Sequence, residues 1–118
     1  VFVTEPSTLT VLADAGQLER ALVNLLKNAC EATRGVATPR VTVSARLTRG
    51  ERLRIEVHDN GPGVPDDVVG DTFTPFFSTK SRGSGIGLAM VRQLVHRNGG
   101  VVRHAKSIGG GARFVITF

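Results

Sequence analysis

Cysteine is nearly absent from this chain. Cys30 stands alone, which excludes an internal disulfide and a cysteine-built zinc site, and the expected compartment is the cytoplasm. Cys30 lies within an apolar helical pattern and reads as a core or half-buried residue rather than a nucleophile. Neither Trp nor Tyr occurs, so stacking platforms for nucleic-acid bases are few. No run of about 18 apolar residues is present, which leaves no candidate for a membrane-crossing helix. No charged–apolar–small series opens the sequence, so no secretory leader is expected. Acidic residues are in the minority: 15 Lys and Arg face 10 Asp and Glu, for a net charge of +5. That balance favours anionic partners, but the twelve arginines are dispersed and form no dense basic run. Nucleic acid is therefore not an expected partner.

What is present suits one domain spanning residues 1–118, with 41% hydrophobic residues to build a core. "VFVTEP" reads as a short strand and "TLTVLAD" (8–14) as a second. Residues 16–34 read as a helix with Leu18, Ala21, Leu22, Leu25, Leu26, Ala29 and Ala32 on one face, stopped by Gly35. The opposite strip holds Gln17, Arg20, Asn24, Lys27, Asn28 and Glu31. "RVTVSARL" (40–47) and "RLRIEVHD" (52–59) alternate as strands around the turn "TRGE". Residues 60–83 carry most of the prolines and no period, a loop longer than a compact domain keeps without purpose. A second helix is expected over 85–98, ended by "NGG". "VVRHAK" and "ARFVITF" then close a hairpin around "SIGGG". The pattern predicts an α+β fold: a two-layer α/β sandwich whose mixed, mainly antiparallel sheet is covered on one face by helices. The sequence begins and ends inside apparent elements, as expected for a domain excised from a longer chain.

Four stretches carry chemistry. In "NLLKNACEAT" (24–33), Asn24 and Asn28 are four residues apart and project from one side of a helix. Helix interiors disfavour Asn, and its neutral carbonyl suits Mg²⁺ when phosphates supply the charge. A polar outer face explains the pair equally well. "DNGPGV" (59–64) puts a carboxylate at a strand end before glycines that allow close backbone approach, although the same residues build ordinary turns. "TPFFSTK" (74–80) sets Phe76 and Phe77, of which at least one is expected to tack the loop to the core, beside Thr79 and Lys80, a hydroxyl and a cation suited to phosphate. "GSGIGLAMV" (83–91) offers backbone amides and a helix start to an anion. It is not placed as a dinucleotide fingerprint requires, early in a βαβ unit.

Together, in this order, the four stretches resemble the nucleotide-binding domain shared by sensor histidine kinases, type II topoisomerases, heat-shock chaperone ATPases and mismatch-repair ATPases (the Bergerat-type ATP-binding fold). "NLLKNACEAT" is similar to that family's N box and "DNGPGV" to its first Gly box. "TPFFSTK" is similar to its F box, "GSGIGLAMV" to its second Gly box and "GGGARF" to its closing Gly segment. The resemblance implies ATP and Mg²⁺ as cofactors, Asp59 on the adenine amino group, and Gly61 and Gly63 wrapping base and sugar. Asn28 would be the Mg²⁺ ligand, with Asn24 and Lys27 on the phosphate side. Residues 62–84 would form an ATP lid bringing Lys80 and the Gly83–Gly87 backbone to the phosphates. Asn24, Asn28 and Lys80 are the implied catalytic residues. Glu31, Val64, Phe76, Phe77, Thr79, Ser84, Gly85, Ile86, Leu88 and Ala112 complete the implied nucleotide site. Glu31 stands where some sensor kinases carry a phosphate-facing Lys. Ala112 stands where many relatives place Thr, and "GDTF" replaces the commoner apolar lead into the F box.

Asn24 separates the branches. The hydrolysing members resemble this domain but carry a glutamate there, as general base on water. An amide cannot take that proton, so the resemblance implies poor ATP hydrolysis and transfer of the γ-phosphoryl group to a histidine. His58 and His104 read as strand residues and His96 as a helix-surface residue, all structural. The acceptor is expected on a separate upstream dimerisation helix domain, with a response-regulator receiver domain as onward partner. The full-length protein is expected to be a homodimer, and its anchoring in the inner membrane is left open. A related protein-serine kinase or ATPase domain is the alternative. A nucleic-acid-binding module leaves the paired asparagines and Gly boxes unexplained.

Overall fold

The longest apolar period of the sequence becomes the longest helix. The computed structural model describes residues 2–5, 11–63, 87–106 and 110–118, with backbone alone at 2–5 and 106. Helix α1 (Ala15–Ala32) is opened by Asp14, whose carboxylate accepts the Gln17 amide at 2.9 Å, satisfying one of the free donors of the first turn. Ala21, Leu25 and Ala29 are its buried stripe. It ends before Gly35: Thr33 caps it, its amide and hydroxyl both reaching the Ala29 carbonyl and its hydroxyl also the Cys30 carbonyl. Helix α2 (Gly87–Arg97) buries Val91, Leu94 and Val95. Gly99, at φ +79°, turns the chain out of it, and the Gly100 amide closes on the Val95 carbonyl at 3.0 Å, a left-handed cap that glycine adopts without strain.

Five strands form one sheet in the order β1-β2-β3-β5-β4: β1 (Phe2–Glu5), β2 (Val41–Leu47), β3 (Leu53–Asp59), β4 (Val101–Lys106) and β5 (Ala112–Thr117). Strand β1 runs parallel to β2, with Phe2 opposite Val43. The other pairs are antiparallel, Val57 facing Val43 on one side and Phe114 on the other. The α+β sandwich expected from the pattern is therefore the fold. One strand is corrected: residues 11–14 of the expected second strand lead into the Asp14 cap instead, because Asp14 serves the helix; 8–10 lie outside the described residues.

Both helices cover one face of the sheet. Leu53, Ile55, Val57, Phe114 and Ile116 meet Ala21, Leu25, Ala29, Val91, Leu94 and Val95 in a single core, each large side chain contributing about 1.5–3 kcal/mol by leaving water. Cys30 is exposed, one position beyond the buried stripe, so it is not a core residue. Leu47, expected inward, is exposed at the end of β2. Among the described residues, no helix is long and apolar enough to cross a membrane.

Candidate functional site

Strand β3 ends on a carboxylate that the fold buries and holds. Asp59 is 4% exposed, and its Oδ1 accepts the amides of Gly61 at 3.0 Å and Ala112 at 3.2 Å. One oxygen thus staples the loop after β3 to the start of β5; among the described residues the other accepts no hydrogen bond. Asn60, next in sequence, faces elsewhere. Its side chain accepts the Arg40 amide and donates to the Thr38 carbonyl, both at 2.8 Å, so it fastens the α1–β2 connection.

The glycines here are required by the protein itself. A β-carbon on Gly61 would stand 2.5 Å from the Ala32 carbonyl oxygen, at the end of α1. Gly63, at φ +74°, lies against the Gly111 carbonyl, and a β-carbon on Gly111 would collide with the Asp59 carbonyl. The first Gly segment, the last turn of α1 and the closing hairpin are therefore in direct backbone contact, an approach only glycine permits.

Asn24 and Asn28 are half-buried, whereas Arg20, Lys27 and Glu31 on the same expected strip are exposed. The strip divides because α2 packs beside α1. Asn24 donates its amide N–H to the Arg20 carbonyl at 2.8 Å, which turns its Oδ1 outward. That oxygen lies 3.4 Å from where a β-carbon on Gly87 would stand, at the start of α2. The fold thus brings the asparagine helix and the second Gly segment together. Asn98 clamps the far ends of the same helices: its side chain accepts the Asp14 amide at 2.7 Å and donates to Gln17 Oε1 at 2.9 Å. Leu88 packs against the core at the start of α2.

Ala112 begins β5 beside Asp59. Two residues on, Phe114 is fully buried and stacks on His104 of β4, ring centroids 4.4 Å apart and 12° from parallel. Burial pushes the His104 pKa below its ordinary value; the Asp59 charge acts in the opposite sense. Val64, Phe76, Phe77, Thr79, Lys80, Gly83, Ser84, Gly85 and Ile86 lie outside the described residues. Of the expected site, Asp59, Gly61, Gly63, Ala112, Asn24, Asn28 and Gly87 gather at the junction of both helices with the β3 and β5 ends, while the Lys27 and Glu31 side chains reach solvent. Sequence reasoning missed Asn60, Asn98 and the Phe114–His104 pair. Asn60 stood inside "DNGPGV", where only Asp59 and the glycines drew a role, and Asn98 in "NGG", read only as a helix stop; nothing in the local sequence marks the third.

The donor set fits a nucleotide-borne cation rather than a protein-built one. Among the described residues no group of three His, Cys, Asp or Glu side chains could hold a metal ion. The asparagines offer neutral oxygens, which need an anionic co-ligand such as a phosphate to hold Mg²⁺.

A family model, that of the histidine kinase-, DNA gyrase B- and HSP90-like ATPases, matches residues 13–118. The sensory histidine kinase/phosphatase NtrB of Rhizobium meliloti is 38% identical over 111 residues, covering 83% of this chain and 29% of its own length. The chain thus spans under a third of that relative. The catalytic domain of histidine kinase ThkA superposes with a TM-score of 0.86 at 29% identity, covering 99% of this chain and 75% of that one. ThkA has also been solved with the response regulator protein TrrA (TM-score 0.81, 26% identity, 99% and 33% covered). Full-length ShkA in complex with AMPPNP aligns with a TM-score of 0.83 at 33% identity, covering 99% of this chain and 24% of that one.

Proposed function

The chain belongs to the histidine kinase-, DNA gyrase B- and HSP90-like ATPase family, and from that premise we propose that it binds Mg-ATP as the catalytic domain of a sensor histidine kinase. In this reading it donates the γ-phosphoryl group to a histidine on a separate dimerisation domain, for onward transfer to a response-regulator aspartate. The observation that carries it is Asp59: a buried carboxylate with one oxygen already held by two backbone amides. Its second oxygen is then the natural acceptor for the adenine amino group, and the fixed backbone orients it before the base arrives.

Asn28, with Asn24 on the phosphate side, would hold Mg²⁺. The ion, when bound, neutralises phosphate charge. Asn24 is an amide fixed by Arg20 and takes no proton from water, so the domain holds ATP without spending it and transfer awaits an acceptor imidazole. Catalysis is then positioning and charge stabilisation. Lys80 and the Gly83–Gly87 backbone are assigned to the phosphates, and residues 62–84 to a lid, on the sequence resemblance. The solved complexes of ShkA with AMPPNP and of ThkA with a response regulator support both halves of the reading.

Calorimetric titration with AMPPNP, with and without Mg²⁺, tests it, alongside Asp59→Asn. Binding that needs Asp59 and changes with Mg²⁺ is expected. Rapid phosphate release from ATP by the isolated domain would exclude the kinase branch and leave an ATPase.

A further inference from the structure

Helices α1 and α2 meet at two ends, and Asn98 holds the end away from the candidate site. Asn98 follows α2 and is tied to that helix by donating to the Leu94 carbonyl at 2.8 Å. The same side-chain amide donates to Gln17 Oε1 at 2.9 Å, and its Oδ1 accepts the Asp14 backbone amide at 2.7 Å. Both N–H groups and the carbonyl oxygen of the side chain are thus in use. Asp14 is itself the cap of α1, its carboxylate holding the Gln17 amide. Asn98 therefore grips the cap of one helix from the end of the other.

The contacts between the helices run in antiparallel order. Asp14 and Gln17 meet Asn98, Arg20 Nη2 reaches Met90 Sδ at 3.5 Å, and Asn24 Oδ1 lies 3.4 Å from where a β-carbon on Gly87 would stand. Ala21, Leu25, Val91, Leu94 and Val95 share the core beneath. Apolar burial is non-directional, so it governs how closely the helices lie more than where one stands along the other. Hydrogen bonds have a fixed length and angle, and Asn98 supplies them. Asn24 and Gly87 stand about 15 Å further along their helices, where that register decides their spacing.

Resting on the nucleotide reading, we propose that Asn98 is a positioning residue for the phosphate side of the site. By pinning the end of α2 to the cap of α1 it sets the axial register of the two helices, and with it the spacing between Asn24 and the start of α2. It touches no nucleotide. The base side is held by other means: Asp59 binds the Gly61 and Ala112 amides, and Gly61 lies against the Ala32 carbonyl at the last turn of α1. None of those contacts involves α2. The clamp is therefore felt at one end of the nucleotide and not at the other.

AMPPNP binding with Mg²⁺ would be measured by calorimetry for the wild type, Asn98→Ala, Gln17→Ala and Gln17→Glu, at a temperature where circular dichroism shows each folded. Asn98→Ala should weaken binding about fivefold and Gln17→Ala about threefold. Gln17→Glu keeps an acceptor for Asn98 and should bind as the wild type does. In NMR spectra of the free proteins, the Asn24 side-chain amide and the Gly87 amide should shift in Asn98→Ala, while the Gly61 and Ala112 amides stay. Unchanged AMPPNP affinity in Asn98→Ala, or in Gln17→Ala if the first variant does not fold, would make the clamp structural only and overturn the inference. So would a Gln17→Glu variant as weak as Gln17→Ala, or Gly61 and Ala112 signals that move as far as Gly87. Absence of AMPPNP binding by the wild type would instead overturn the nucleotide reading, and this inference with it.

Discussion

The two faces of the sheet are built from the same strands and behave as different materials. On the covered face, alternate residues of β3 and β5 — Leu53, Ile55, Val57, Phe114, Ile116 — pack under the helices. On the open face the intervening residues are Arg54, Glu56, His58, Arg113 and Val115. There Glu56 is the centre, with Arg54 at 3.5 Å and His58 and Arg113 each at 3.6 Å. Val115 is 1% exposed although, among the described residues, no helix covers that side; its ladder neighbours there are Glu56 and Arg103, whose long stems can cover apolar surface. The covered face supplies stability through area. The open face supplies less, because its ion pairs are long and the partners of the buried Glu56 are 22–30% exposed. The site proposed for the nucleotide lies on the covered face, at the end where its apolar floor runs out and Asp59 begins.

Several substitutions would break or sharpen that contrast. Phe114→Ala should cost most, about 3–5 kcal/mol, because it empties the centre of the core and removes the partner of His104; urea denaturation reads it directly. Asp59→Asn should leave the fold largely intact, since an amide oxygen can still accept from Gly61 and Ala112. It would set an NH₂ against the adenine amino group and lower nucleotide affinity by about 2–3 kcal/mol, roughly 30- to 150-fold. Gly61→Ala should cost about 1–3 kcal/mol of stability, since its β-carbon meets the backbone oxygen of Ala32 at 2.5 Å and that oxygen has no rotamer to escape into.

On the open face the expectations shrink. Glu56→Gln should cost about 1–2 kcal/mol, because it removes a buried charge that faces Arg54 and Arg113, and should leave nucleotide affinity unchanged; a loss of affinity would show that the two faces communicate. The smallest effect is a slope. Burial holds His104 below its ordinary pKa, so the unfolded chain takes up that proton first as pH falls. Stability present at neutral pH is then lost from the ordinary histidine range down toward the folded value. A wild-type Tm that drops on acidification more steeply than that of His104→Phe would record it.

Much of this arrangement was legible beforehand, for local reasons. Helix α1 announces itself by period, strands β2 and β3 by alternation, and "DNGPGV" by the company it keeps. Where the reading went astray, a long-range contact decided. Cys30 has an apolar neighbourhood in sequence but falls one position outside the stripe that α2 and the sheet cover. Asp14 looked like the end of a strand and became a helix cap. Gly61 and Gly63, implied by the resemblance to wrap base and sugar, are also constrained by the backbone opposite them.

By itself the sequence determined the order of the described elements, apart from the strand expected over 8–14, and the buried stripe of α1, because periodicity and turn residues act over a few positions. Tertiary structure alone decided that Asp59 would share its oxygen between Gly61 and Ala112, that Asn24 would face Gly87, and that His104 would lie on Phe114. Asp59–Ala112 and Asn24–Gly87 join residues far apart in the chain, while His104–Phe114 joins the two arms of the β4–β5 hairpin. The closing of the sheet between β3 and β5, and the packing of α1 on α2, bring them within reach, and no local preference encodes that distance.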